Sequence, residues 1–199
     1  MARTASKSIP DKGESQVKKL LGILMATMMV AGCANMANPF VRQSPRYEAV
    51  PAEALAETAR LVEEAVAQGN RDYDPEDVGG VVISSPAVHQ AIRTRVVRGD
   101  LVRMVLDTGF AYEQKGGLLA LKPSREYSKS STRRERDRHA LIVLEENNDR
   151  WRIYEGIVEA SKFPSRSLSA VQDAFYQARV AAMPTGQKYQ DESGEIVVK

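Results

Sequence analysis

This chain predicts a mainly α-helical domain with a small β component, on three grounds. Apolar residues recur at helical spacing in successive segments after Pro51. The stretch from Thr132 to Ser161 contains no proline and one glycine, Gly156. At the C terminus two short apolar runs flank Asp191-Glu192-Ser193-Gly194, a turn composition that reads as a β-hairpin.

A first helix is expected from about Pro51, a residue suited to an early helical position, with Leu55, Ala59, Val62 and Val66 on one face. Glu57, Glu63 and Glu64 fall largely outside that stripe, and Gly69-Asn70 ends it. After the loop RDYDPEDVGG, Val81 to Ile83 is a short apolar run compatible with a strand. Ser84-Ser85-Pro86 then supplies a cap and a first-turn proline for a second helix carrying Val88, Ile92 and Val96. Gly99 is expected to break or bend it before Leu101, Val102, Val105 and Leu106 resume an apolar face. GGLLALKP reads as another short strand closed by Pro123. The longest helix is expected over Thr132 to Ser161, with Leu144, Trp151, Tyr154 and Val158 facing the core. Pro164 stops the chain from continuing as helix, and Ser167 or Ser169 caps a last helix with Val171, Phe175 and Ala178.

Upstream of this domain the sequence is of a different kind. Lys18 and Lys19 precede a largely apolar run of eleven residues, Leu20 to Val30, well short of the roughly 20 that span a bilayer and of the right length for a signal-peptide core. The residues that follow, Val30-Ala31-Gly32-Cys33, resemble a bacterial lipobox in all four positions. That resemblance implies that residues 1–32 are a lipoprotein signal that is removed, and that Cys33 is acylated as the first residue of the mature chain. Two or three acyl chains, at about 0.8 kcal/mol per buried CH₂, hold far more firmly than one. Ala34 in place of Asp after the cysteine implies sorting to the outer membrane, facing the periplasm, by the enteric rule. Residues 33–50 are expected to be the lipidated terminus and a solvated tether reaching roughly 20 to 25 Å, and residues 51–199 one domain.

The signal holds five Lys/Arg and two Asp/Glu, so the mature chain keeps 23 basic and 24 acidic residues. Such a near-neutral chain lacks the basic footprint of a nucleic-acid binder. Cys33 is the only cysteine, so once acylated it leaves no thiol for a disulfide or a metal site. His89 and His139 have no further His or Cys at ligand spacing. Neither a nucleophile elbow nor a phosphate loop is present, since Gly79-Gly80 and Gly116-Gly117 lack the partners such motifs need. The sequence therefore names no catalytic, cofactor-binding or metal-binding residue. Ser130 to His139 is the densest charge cluster; its Glu135 and Asp137 offset part of the positive charge, and it reads as a solvated helix face.

One stretch carries a resemblance. Asn147-x-Asp149-Arg150-x-x-x-Tyr154, then Gly186-x-x-Tyr189-Gln190-Asp191 and Gly194, resembles the YdbL-like family of exported bacterial envelope proteins, and SSPAVHQAIRTR and KGGLLALKP resemble its earlier segment more loosely. The resemblance implies a non-catalytic accessory or scaffold for an envelope system in which a large AsmA-like protein bridges the two membranes with a small lipoprotein, serving phospholipid transport. Its signature falls on Asn147, Arg150 and Tyr154, which share one helix face. They are expected either to meet a partner or, the favoured reading, to clasp the long helix to the C-terminal hairpin. Two other functions fit the same composition: an envelope enzyme acting on peptidoglycan or lipid, and a structural lipoprotein that binds cell wall or membrane.

Overall fold

The computed structural model describes residues 46–199. Helices α1 (Ala52–Gln68), α2 (Pro86–Asp107), α3 (Arg125–Ser130), α4 (Arg133–Ala160) and α5 (Leu168–Ala182) combine with strands β1 (Ala111–Glu113), β2 (Leu119–Leu121), β3 (Lys188–Gln190) and β4 (Ile196–Val198). The mainly helical class, the long helix and the C-terminal hairpin are as the sequence predicts. None of the described helices is long and apolar enough to cross a membrane.

Local chemistry sets the helix ends. Gly69 ends α1 in the left-handed conformation, its N–H returning to the carbonyls of Ala65 and Val66. Ser85 accepts from the Val88 N–H and Pro86 occupies the first turn of α2. Thr132 and Glu135 form a reciprocal capping box at the start of α4. Pro164 precedes a short 3-10 turn, Ser165–Ser167, that leads into α5; Ser167 sits at the cap position without a capping side-chain bond.

α1, α2, α4 and α5 enclose the main core, with Leu55, Val62, Ile92, Tyr154 and Phe175 at its centre. Arg95 bonds Glu146, Val88 lies against Gly156, and Val102 packs with Ile142, so α2 and α4 run antiparallel. The four strands form one sheet in the order β2-β1-β3-β4, antiparallel at both ends and parallel where Tyr112 of β1 faces Lys188 of β3. A second apolar cluster of Val102, Val105, Leu106, Ala111, Leu119 and Ile142 seals the first hairpin against α2 and α4.

Four expectations are corrected. Gly99 neither breaks nor bends α2 into two pieces; a Cβ there would lie 3.0 Å from the Val66 carbonyl oxygen, so the glycine serves the close approach of α1. Val81 to Ile83 is not a strand beyond a single bridge between Val78 and Val81, because the N–H groups of Ile83 and Ser84 go to the Asp77 carboxylate and that of Val82 to Ser161. Leu144 does not face the core but stands 55% exposed, while Ile142, Glu146, Arg150, Ile153 and Ile157 point inward. Glu63, expected to fall largely outside the apolar stripe of α1, is buried. Packing begins before Pro51: Tyr47 and Val50 lie against the core, and the Tyr47 hydroxyl donates to Asp173 at 2.8 Å.

Candidate functional site

Six charged side chains that enter the interior from five different elements close into a ring. Glu63 of α1 accepts two bonds from Arg95 of α2, both 2.9 Å. Arg95 also donates through Nε to Glu146 of α4 at 2.9 Å, and Arg150, one turn further along α4, donates to the same oxygen at 2.8 Å. Arg150 then holds Glu113 of β1 with two bonds of 2.7 and 2.8 Å. Arg179 of α5 completes the circuit, donating to Glu113 at 3.0 Å and to Glu63 at 2.8 Å. Three arginines alternate with three glutamates, so the ring is formally neutral.

Burial of this much charge is tolerable only because each group meets several opposite partners. An isolated buried carboxylate or guanidinium would cost several kcal/mol in lost hydration. Burial pushes the Glu146 carboxyl up, but Arg95 and Arg150 outweigh it and hold it well below the usual carboxylate range. Glu63 and Glu113 are likewise lowered against burial, Glu63 by Arg95 and Arg179 and Glu113 by Arg150 and Arg179. At the rim, Arg98 adds bonds to Asp149 at 2.8 Å and to Glu146 at 3.5 Å.

The carbonyl of Gly117, in the turn between β1 and β2, is a second focus. It accepts from the Tyr154 hydroxyl at 2.7 Å, from Arg179 at 2.8 Å and from Arg150 at 3.4 Å. Gly117 has φ +79, and a Cβ there would sit 3.0 Å from the Gln172 carbonyl oxygen. Asn147 binds the neighbouring strand as a strand would, accepting from the Leu119 N–H and donating to its carbonyl, each at 2.9 Å.

Asn147, Arg150 and Tyr154 are thus brought together, but on the β1–β2 hairpin and not on the C-terminal one. The reason is position: Glu113, Gly117 and Leu119 lie along the α4 face that these three residues occupy. The C-terminal hairpin is held instead by Tyr176 to the Gln190 carbonyl, Gln187 to Asp107 at 2.7 Å and Lys188 to the Gly109 carbonyl at 2.7 Å. Cys33 lies outside the described residues. His89 and His139 stay apart from the ring: His89 Nδ1 is 3.8 Å from Asp74, and His139 Nδ1 is 2.9 Å from the Tyr127 hydroxyl.

The ring lines part of a cavity of about 110 Å³ whose apolar walls include Val66, Val102, Leu106 and Met183. Its carboxylates are locked in their ionised forms between guanidinium groups, which does not favour proton donation near neutral pH. Among the described residues no group of three His, Cys, Asp or Glu side chains is placed to hold a metal ion. Sequence reading missed Glu63, Arg95, Glu113, Glu146 and Arg179. A signal was present: Glu63 follows Ala59, Glu146 follows Ile142 and Arg179 follows Phe175 by four residues, each on a face whose other members are core.

Comparison with protein-family models, with curated proteins and with solved structures finds no match to this chain.

Proposed function

We propose that this chain is a lipid-anchored protein of the bacterial envelope, held at the outer membrane through Cys33, whose domain acts as a non-catalytic accessory or scaffold. The observation that carries the non-catalytic part is the closed ring: every carboxylate lining the cavity is already paired with at least two arginines, an arrangement that favours rigidity over acid–base chemistry. The lipobox-like Val30-Ala31-Gly32-Cys33 after a short apolar core supports the location. The likeness of Asn147, Arg150 and Tyr154 to the YdbL-like signature supports service to an AsmA-like intermembrane phospholipid-transport system with a small envelope lipoprotein.

Mass spectrometry of the mature N terminus tests the anchor: an acylated Cys33 as first residue is expected, and Cys33→Ala blocks cleavage there. A mature chain starting elsewhere overturns it. Co-purification of the anchored protein with an AsmA-like bridging protein from bacterial membranes tests the scaffold role.

A further inference from the structure

α2 and α4 leave an apolar band on the outside of the domain. Val97, Leu101 and Met104 recur at i, i+4 and i+7 on α2, exposed by 61%, 37% and 42%. On α4, Leu141 and Leu144 are exposed by 57% and 55%. Because the helices are antiparallel and Val102 packs with Ile142, Leu101 and Leu141 stand at the same level, one step outward from that buried pair. Clustered apolar side chains of this size mark a surface that meets something other than water.

What flanks the band indicates the occupant. Beside it, α3 and the first turns of α4, joined by the Tyr127–His139 bond, expose Arg125, Lys129, Arg133, Arg134 and Arg138, with Lys122 exposed just after β2. The nearby acids are Asp100 beside Leu101, Glu126, Glu135 and Asp137, with Glu145 on α4; Asp100 lies 3.3 Å from Arg103, Glu135 is engaged by the capping box and Asp137 lies 3.9 Å from Arg133. Arg133, Arg134 and Arg136 occupy the N-terminal turn of α4, where the helix dipole disfavours positive charge. Arg136 is engaged locally, donating to the carbonyls of Ser128 and Ser131, and Arg133 lies near Asp137, which leaves Arg134 and Arg138 as the exposed cations on this side. Arg134, Arg138 and Leu141 fall at i, i+4 and i+7, which aligns the cations with the apolar band.

We infer that the outer face of α2 and α4 docks on the surface of an anionic phospholipid bilayer, with Val97, Leu101, Met104, Leu141 and Leu144 at the headgroup–acyl boundary and Arg134 and Arg138 against lipid phosphates. Apolar insertion combined with cationic attraction is the chemistry of interfacial binding. The contact needs no acyl chain on Cys33, so it stands or falls separately from the lipid anchor.

Residues 46–199, which close around their own core, are tested by co-sedimentation with phosphatidylcholine vesicles and with vesicles containing phosphatidylglycerol. Binding to the anionic vesicles alone, weakened as salt rises, is expected. Leu141→Glu/Leu144→Glu, which removes apolar insertion, and Arg134→Glu/Arg138→Glu, which removes two cations, should each reduce it by at least about tenfold. All four positions are exposed, and circular dichroism of each variant verifies that the fold is kept. Lack of binding to anionic vesicles overturns the inference, as does binding that both double variants leave intact. A dimer in solution that Leu141→Glu dissociates, without vesicle binding, overturns it in favour of a second copy of the chain.

Discussion

Arg150 grips Glu113 through two parallel guanidinium–carboxylate bonds of 2.7 and 2.8 Å, and this pair joins the longest helix to the sheet deep in the interior. Both side chains are almost wholly shielded from water. Arg150→Ala would leave Glu113 and Glu146 each with one fewer partner and no access to solvent. A loss of about 3–5 kcal/mol is expected, the usual effect of removing one member of a buried ion pair. Arg150→Lys should recover little of it, because an ammonium cannot reproduce the planar two-bond fork or reach Glu146 as well. Urea denaturation of the three proteins measures both effects.

Acidification should weaken the domain in a defined range. Glu63, Glu113 and Glu146 have folded-state pKa values below those of the unfolded chain, so the unfolded state binds more protons as pH falls. The stability they contribute is complete above the unfolded glutamate value of about 4.3 and is lost as pH drops from there toward their lower folded values. Unfolding free energies at pH 7, 5, 4 and 3 are expected to be level over the first two and to fall steeply over the last two. In Glu146→Gln the protein starts less stable and the slope below pH 4 is shallower.

Gly117→Ala should destabilise although it adds only a methyl group. Its φ of +79 suits glycine, and the added carbon would meet the Gln172 carbonyl at 3.0 Å and the Tyr154 hydroxyl at 3.2 Å. Strain of this kind amounts to about 1–3 kcal/mol, before any weakening of the three bonds that the Gly117 carbonyl accepts. Thermal melting reads the loss, and Gly116→Ala, with nothing near its Cβ, serves as the neighbouring control.

Gly156 gives the opposite lesson about propensity. Replacing a helical glycine by alanine normally stabilises by about 0.8–1 kcal/mol. Here the new Cβ would lie 2.4 Å from a Val88 methyl, where α2 crosses α4. Gly156→Ala is therefore expected to lower stability by about 1–3 kcal/mol through overpacking. In a Val88→Ala background the same change should be neutral or stabilising, a coupling that a double-mutant cycle by denaturation resolves.

Tyr47 sits in the segment expected to be tether, yet it packs on the core and donates to Asp173. A fragment starting at Pro51 should melt below one starting at Arg46. Tyr47→Phe should account for about 0.5–1.5 kcal/mol of the difference, the net worth of one hydrogen bond.

What the sequence determined by itself is local. The start of the longest helix at Thr132, the stop at Pro164, the end of α1 at Gly69 and the hairpin turn at Asp191–Gly194 depend on neighbours within a few residues, so composition and spacing reveal them. The alignment of Asn147, Arg150 and Tyr154 on one face followed from helical period alone. Tertiary structure decided what that face touches. Arg150 meets Glu113 across 37 positions and Arg179 meets Glu63 across 116, separations over which periodicity carries no information. Read singly, Glu63 or Arg95 belongs in solvent, because burying one charge alone is prohibitive. Their burial becomes favourable enough to persist only when five elements deliver alternating charges to one place. The same limit applied to Gly99 and Leu144: whether a glycine breaks a helix or admits a neighbour, and whether a leucine is core or surface, depends on which helix packs alongside.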